Sequence, residues 1–272
     1  LTRVLADGSK TVIANCGDGP NGAAIGPDGK CYICNNGGFN WQDSDGYLRP
    51  IGQSDNYKTG RIERVDLDTG EIEILYTRVG DYRLNGPNDI VFDRHGGFWF
   101  TDLGKVREID RDVGAVYYAL PDGKTIRRVI APLLTPNGIG LSPDGSILYV
   151  AETASSRLWS YDVTAPGEVD IAPWPSPNGG RLVAGLPGFQ GFDSLAVDSA
   201  GNICVATLFD GGISVVSPDG NSVEHVEMPD RYCTNICFGG PDLSTAYITL
   251  AGTGRLVSMQ WPRPGLPLHY LN

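Results

Sequence analysis

One pattern recurs five times along the chain, and this repetition constrains the fold more than any other feature of the sequence. Each copy has an Asn or Asp at its start, an apolar run, a turn and a second apolar run. In the first four copies a glycine lies eight positions after that Asn or Asp, where a tight hairpin turn needs one. Each copy therefore predicts a β-hairpin. The copies are PNGAAIGPDGKCYICN, PNDIVFDRHGGFWFTD, PNGIGLSPDGSILYVAE, FDSLAVDSAGNICVAT and TNICFGGPDLSTAYIT, with Asn21, Asn88, Asn137, Asp193 and Asn235 at their starts.

A third strand-like segment follows every hairpin, and a sixth such segment, LTRVLADG, begins at Leu1. The Asn or Asp residues at the starts of the copies lie 67, 49, 56 and 42 positions apart. This spacing is typical of β-propeller blades of about 40 to 50 residues with insertions. The sequence thus predicts an all-β, six-bladed β-propeller in which residues 1–272 form a single domain.

The first of these six blades is incomplete. LTRVLADG and KTVIAN supply its outer strands, but no hairpin precedes them, so about 25 to 35 residues of a standard blade are absent. We expect either that the sequence begins late or that Leu266 to Asn272 partly closes the ring.

Charge and hydropathy narrow the class of protein. The formal net charge is -11, whereas nucleic-acid binding requires a Lys- and Arg-rich surface. No apolar run approaches the roughly 20 residues that span a bilayer, and nothing at Leu1 resembles a charged start followed by an apolar signal core. We therefore expect a cytoplasmic protein without nucleic-acid or membrane partners. Nothing in the sequence points to a particular oligomeric state.

The start of each predicted inner strand and the end of the strand paired with it lie at one rim of the propeller. Carboxylate and amide oxygens gathered at a channel suit a hard divalent cation such as Ca²⁺ or Mg²⁺. For any single position, turn formation explains an Asn or Asp equally well. The residues expected to face each other at this rim are Asn21 with Asn35 and Asn36, Asn88 with Asp102, Asn137 with Glu152, Asp193 with Thr207, and Asn235 with Thr249.

PNDIVFDRHGGFWFTD and PNGIGLSPDGSILYVAE resemble repeats of the family of senescence marker protein (regucalcin), gluconolactonase and luciferin-regenerating enzyme. The resemblance covers nearly the full chain. It implies a propeller that binds one divalent cation through a Glu of the first blade, an Asn of the fourth and an Asp of the fifth. The last two match Asn137 and Asp193. Asn88 matches a third-blade Asn that contacts the metal through water or positions substrate.

The match to this family is incomplete at two positions. The first-blade Glu has no good counterpart, because Asp18-Gly19-Pro20 falls in the second blade of the repeat register. A substrate-binding Arg of the family is Gly86 here, so sugar-lactone recognition is not implied. Ser194, next to Asp193, resembles the Asp-Ser pair of bacterial drug-responsive lactonases in this family.

The resemblance implies a metal-dependent lactonase with one divalent metal, Ca²⁺ first and Mg²⁺, Mn²⁺ or Zn²⁺ as alternatives, and a small-molecule lactone as substrate. We expect Asn137, Asp193 and Asn88 to bind the metal. Asp193 and Asn88 are the expected catalytic residues, with Asp193 the first candidate for the general base and Glu152 and Asp102 as others. Expected substrate-binding residues are Asn21, Asn36, Asn88, Ser194 and Glu152.

An excursion from Asn35 to Gly60 is too long for an ordinary hairpin loop and is expected to cross the rim. Its aromatic residues either line a pocket or pack the loop onto the blade. They are Phe39, Trp41, Tyr47 and Tyr57.

Three other functions fit a propeller of this kind. They are a strictosidine-synthase-like enzyme that uses no metal, a phosphotriesterase-like hydrolase, and a non-catalytic scaffold. The register of Asn and Asp residues favours a metal over the first of these.

Overall fold

The computed structural model describes residues 1–271 and is built of β-strands. A short hairpin at the N terminus pairs with no other sheet. The chain then forms a sheet that we call blade A, in the order β3-β4-β7-β8, with the separate hairpin β5-β6 inserted between its second and third strands. The bounds are β1 Thr2–Val4, β2 Lys10–Val12, β3 Pro20–Ile25, β4 Cys31–Asn35, β5 Phe39–Ser44, β6 Tyr47–Gln53, β7 Arg61–Val65 and β8 Ile72–Tyr76.

Four further sheets follow, and all are antiparallel. Blade B is preceded by a two-strand hairpin, β9 Arg78–Val79 and β10 Tyr82–Arg83, and contains β11 Pro87–Phe92, β12 Phe98–Asp102, β13 Gly114–Ala119 and β14 Ile126–Leu133. Blade C contains β15 Pro136–Leu141, β16 Ile147–Glu152, β17 Arg157–Ala165, β18 Glu168–Val169 and β19 Arg181–Gly185. Blade D contains β20 Gly191–Val197, β21 Ile203–Leu208, β22 Gly212–Val216 and β23 Val223–Glu227. Blade E contains β24 Cys233–Gly239, β25 Thr245–Leu250 and β26 Arg255–Gln260.

The sheets are arranged as a β-propeller, because their first strands pack side by side in the order β3, β11, β15, β20 and β24. The prediction of six blades is wrong for the described residues, which form five. A blade needs an inner hairpin, and the strands assigned to the first blade, β1 and β2, pair only with each other.

The hydrophobic core lies between consecutive blades, as expected when sheets pack face to face. Aromatic rings fill the layer between blades A and B, where Tyr32 contacts Phe92 with ring centroids 5.0 Å apart. Trp99 of blade B and Trp159 of blade C belong to the next layer. Similar layers join blades C to D and D to E, and the N-terminal hairpin packs on blade A through Leu1 and Ile13.

The predicted turn glycines lie at one end of the propeller, which we call the turn rim. Gly29, Gly96, Gly145 and Gly201 have φ angles of 72°, 85°, 73° and 84°. This left-handed conformation is open to glycine at little cost, which explains its recurrence. The opposite end, where β3, β11, β15, β20 and β24 begin, is the site rim.

The C-terminal segment Pro262–Leu271, which we call the strap, runs along the turn rim. Its Leu266 amide donates to the Val197 carbonyl at 3.0 Å, and Arg263 Nε donates to Asp198 Oδ2 at 2.7 Å. Further along, the Tyr270 ring lies edge-on to Phe92, with centroids 6.0 Å apart. The strap therefore links blade E to blades D and B. Whether this segment closes the ring stays a prediction, and Asn272 lies outside the described residues.

The described residues contain no helix that is long and apolar enough to cross a membrane.

Candidate functional site

A polar cluster at the site rim joins blades B, C and D. Asn137 Nδ2 donates to Thr153 Oγ1 at 3.0 Å, and Ser194 Oγ donates to Asn137 Oδ1 at 3.4 Å. The Asn137 side chain also lowers the pKa of the Asp193 carboxyl. Asn137, Asp193 and Ser194, which the sequence assigned to one site, thus lie together.

Close approach of the inner strands explains why these side chains meet. A Cβ atom on Gly138 would lie 2.7 Å from both the Asp193 carbonyl oxygen and the Leu195 nitrogen. Only glycine allows β15 to pack this tightly on β20. The repeat that places glycine after Asn137 therefore also brings Asn137 next to Asp193.

Asn88 contributes an oxygen atom that has no partner. Its side chain is 4% exposed, and within residues 1–271 its Oδ1 atom is buried and accepts no hydrogen bond. A buried polar atom without a partner costs free energy, so such atoms are usually explained by an ion or ligand. Among the three predicted metal ligands, Asn88 is therefore the one whose side chain gives the most direct indication of a ligand.

Asp193 is half-buried at the mouth of the channel. Burial and, to a smaller extent, the nearby Asp89 carboxylate raise the pKa of its carboxyl to about 7, although the Asn137 side chain and the Ser194 amide act to lower it. Two carboxyl groups in such an environment favour a bound cation, because opposite charge restores the ionised form.

Asp89 belongs to the cluster although sequence reasoning missed it. Its side chain is 8% exposed, and burial raises its pKa to about 7. Its carboxyl oxygens accept from the Ile90 amide at 2.9 Å and from the Ile139 amide at 3.4 Å. The available signal was its place directly after Asn88, where two other copies have glycine (Gly22 and Gly138).

The carboxylates of Asp102 and Glu152 are engaged by neighbouring loops. Asp102 accepts from the amides of Asn85, Gly86 and Gly104 at 2.6 to 2.9 Å. Glu152 accepts from the Leu134 amide and Ser155 Oγ, each at 2.6 Å, and from Trp159 Nε1 at 2.9 Å. Asp102 pairs with Pro87 and Glu152 with Pro136, so both residues lie at the rim where the sequence placed them, and these hydrogen bonds hold their side chains there.

Glu152 nevertheless borders a cavity of about 340 Å³, between blades B and C, that is also lined by Arg111, Leu133 and Asn178. Its role in binding substrate stays a prediction.

Asn21 is not brought into the cluster. It is exposed, whereas Asn88 and Asn137 are buried. The reason is that β3 packs against β11 on one side and, within the described chain, has no extensive contact with β24 on the other. Asn36 is 3% exposed, and its Oδ1 accepts from the Gly38 amide at 2.8 Å, which leaves its Nδ2 atom for other partners.

The excursion from Asn35 to Gly60 forms the hairpin β5-β6, which reaches across the site rim. At its base, Lys105 Nζ donates to the Gly38 carbonyl at 2.8 Å and lies 4.1 Å from the Phe39 ring centroid and 5.0 Å from that of Tyr57. At its tip, Tyr47 packs on Tyr232 of blade E, with centroids 5.9 Å apart. The hairpin therefore spans from blade A to blade E, as the predicted crossing of the rim requires.

The donor set tests whether a divalent cation fits. Asn88 Oδ1, Asn137 Oδ1 and the Asp193 carboxylate are all oxygen atoms, the ligands that Ca²⁺ and Mg²⁺ prefer. The described residues hold no group of three or more His, Cys, Asp and Glu side chains that could bind a metal. The residues present thus fit a hard cation held by one carboxylate and two amides, with Asp89 adding negative charge nearby.

These features define a class, the β-propeller proteins with an oxygen-lined cluster at one mouth of the central channel. Residues 1–252 match the model of the SMP-30/gluconolactonase/LRE-like family. The chain belongs to this family.

Named relatives agree with this membership. Lactonase drp35 of Staphylococcus saprophyticus is 33% identical over 214 residues, which cover 78% of this chain and 57% of the relative. Gluconolactonase of Zymomonas mobilis is 28% identical over 235 residues, covering 81% and 58%. The chain thus spans just over half the length of these relatives. The solved structure of a gluconolactonase from Xanthomonas campestris has a TM-score of 0.72 and 25% identity, and the match covers 96% of this chain and 78% of that one.

Proposed function

We propose that this protein hydrolyses lactones with the help of one divalent cation bound at the polar cluster. The observation that carries the proposal is the buried amide oxygen of Asn88, which has no partner within residues 1–271. Asn88 lies on β11, which packs beside the β15 strand of Asn137, and Asn137 in turn contacts Ser194. The family supports the reaction class, because relatives of this chain are named lactonase and gluconolactonase.

Asp193, Asn137 and Asn88 would hold the cation, with Ca²⁺ as the first choice and Mg²⁺, Mn²⁺ or Zn²⁺ as alternatives. When bound, such an ion polarises the lactone carbonyl and stabilises the developing oxyanion. Asp193 supplies the charge that the two neutral amides lack.

The cluster's own side chains divide the remaining tasks. Asp193 is the member with both a carboxylate and access to solvent, so it accepts the proton of the water that attacks the carbonyl. Asp89 is held by backbone amides and keeps the channel negative. The Asn36 Nδ2 hydrogens can orient the lactone oxygens, and the Ser194 hydroxyl, which donates to Asn137 Oδ1, can accept a hydrogen bond from a bound water or a substrate hydroxyl.

Hydrolysis of a panel of aldono- and alkyl lactones by metal-stripped protein, before and after addition of Ca²⁺, Mg²⁺, Mn²⁺ or Zn²⁺, tests the proposal. We expect activity only after addition of a cation. A phosphotriester in the same panel tests the phosphotriesterase-like alternative. Activity that is indifferent to chelation would contradict the role of the metal, and inactivity with every substrate and metal would favour a non-hydrolytic propeller.

The variant Asp193→Asn is expected to lower kcat/KM by about 10³-fold or more, because it removes the charged ligand and the base together. Asp219→Asn, in an exposed turn at the other rim, is the matched control and should retain full activity. Thermal unfolding of both variants shows whether the propeller is intact. Unchanged turnover by Asp193→Asn in a folded protein would refute the assignment.

A further inference from the structure

Phe209 has a backbone conformation that is unfavourable for its residue type. It lies in the tight turn between β21 and β22 with a φ angle of 74°. Glycine and asparagine accept this left-handed conformation, whereas a bulky aromatic residue is a genuine outlier there. Strained residues of this kind cluster at ligand sites, so Phe209 calls for a functional explanation.

Phe209 is the centre of a row of aromatic rings along the site rim, which we call the aromatic arc and which consists of Phe189, Phe209, Tyr232 and Tyr47. Phe189 stacks on Phe209 with centroids 4.6 Å apart and an angle of 23°, and Tyr232 lies edge-on to Phe209 at 6.2 Å. Phe189 is 82% exposed. Neighbouring apolar rings that face solvent indicate a binding surface.

The arc is continuous with the polar cluster. A Cβ atom on Gly191 would lie 3.4 Å from Phe209 Cε2 and 3.3 Å from Thr153 Cγ2, so one small residue separates the ring from Thr153. Thr153 Oγ1 in turn accepts from Asn137 Nδ2 at 3.0 Å. Gly191 also precedes Asp193 by two residues on the same strand. A molecule bound at the cluster therefore has the arc as its neighbouring wall.

We propose that Phe209 is a specificity-determining residue and that the arc binds an apolar substituent carried on the lactone ring. The preferred substrates are then alkyl- or aryl-substituted lactones and not polyhydroxylated sugar lactones. This inference rests on the proposed lactonase function and adds its substrate class. Aromatic side chains recognise apolar groups through burial of area and ring stacking, and they offer few hydrogen bonds to sugar hydroxyls.

The test compares kcat/KM of the wild type and Phe209→Asn for γ-butyrolactone, γ-phenyl-γ-butyrolactone and glucono-δ-lactone. We expect the wild type to prefer the phenyl compound. Phe209→Asn should lose about tenfold in kcat/KM for that substrate, mostly through KM, because the apolar wall is gone. Its kcat/KM for γ-butyrolactone, which carries no apolar substituent, should fall less than that for the phenyl compound. Its thermal stability should be equal or higher, because asparagine accepts the left-handed backbone.

Tyr270→Asn is the matched control. Tyr270 is another aromatic residue with a left-handed φ, 68°, but it belongs to the strap on the turn rim. The same change there should leave the order of substrates unaltered. An equal loss for all three lactones in Phe209→Asn, or a wild-type preference for glucono-δ-lactone, would overturn the proposal while the lactonase function stands.

Binding of γ-phenyl-γ-butyrolactam, measured by calorimetry, separates this proposal from the proposed function. If the wild type hydrolyses no lactone, the lactonase function fails. Binding of the lactam that Phe209→Asn weakens would then still support the arc as an apolar ligand site, and absence of binding would refute it.

Discussion

At the scale of single residues, the buried amide oxygen of Asn88 connects the stability of the fold with the proposed binding of a cation. Asn88 Oδ1 is buried without a partner in the described chain, so the fold bears a cost that a bound cation would remove. Asn137 lies at the same place in the next repeat, yet its Oδ1 accepts from Ser194 Oγ. The unpartnered oxygen is therefore the atom on which the proposed cation site depends most.

We therefore expect the effect of Asn88→Leu on the free energy of unfolding to depend on whether Ca²⁺ is present. Without cation, its free energy of unfolding should equal or exceed that of the wild type, because an unsatisfied buried oxygen is replaced by an apolar group. The stabilisation by saturating Ca²⁺, about 2.7 kcal/mol at one hundred times Kd, should largely disappear. Chemical denaturation with and without Ca²⁺ measures both effects. Asn235→Leu, at the same rim in blade E, is the control, and an undiminished Ca²⁺ effect in Asn88→Leu would place the cation elsewhere.

At the scale of elements, the inserted hairpin β5-β6 depends on a buried lysine outside it. Lys105 lies on the loop between β12 and β13, is 1% exposed and donates to the Gly38 carbonyl at the base of the hairpin. Burial lowers its pKa to about 8, although Asp102 and Asp112 favour the charged form. The rings of Phe39 and Tyr57 replace part of the lost hydration through cation–π contact.

The lowered pKa of Lys105 predicts a pH dependence of stability. Between about pH 8 and pH 10.5 the unfolded chain holds the proton that the folded protein has released, so stability rises with pH in this window. Across this pH range the free energy of unfolding of the wild type should rise by up to about 2 kcal/mol more than that of Lys105→Met, after allowance for solvent screening. Urea denaturation across this range gives the difference. Lys124→Met, in an exposed turn, should parallel the wild type, and parallel curves for Lys105→Met would show that the amine is not buried in solution.

At the scale of the whole molecule, the five blades are held together by layers between sheets and by the strap along the turn rim. In the described structure β24 and β3 do not pack extensively on each other, so inner-strand contacts alone leave the ring open there. The strap joins blade E to blades D and B through backbone pairing, an ion pair and an aromatic contact. Its anchor, Asp198, is fully buried.

Arg263→Ala should therefore destabilise the whole propeller. It leaves the buried Asp198 carboxylate without its cationic partner, which we expect to cost about 1–3 kcal/mol of unfolding free energy. The midpoint of chemical denaturation measures this loss. Arg255→Ala, whose exposed side chain bonds only Thr253 within the described chain, serves as the control. Equal midpoints for the two variants would mean that the ion pair between Arg263 and Asp198 contributes nothing to stability.

The sequence by itself determined the hairpins, their turn glycines and the place of Asn88, Asn137 and Asp193 at one rim. These features follow from alternating apolar residues and tight turns, which act over a few neighbouring positions. Tertiary structure alone decided the number of blades, the exposure of Asn21, the hydrogen bonds that hold Asp102 and Glu152, the presence of Asp89 in the cluster and the anchoring of the hairpin β5-β6 by Lys105. In each of these cases the deciding partner is a strand or loop far away in the sequence, and a repeat pattern does not specify such a partner.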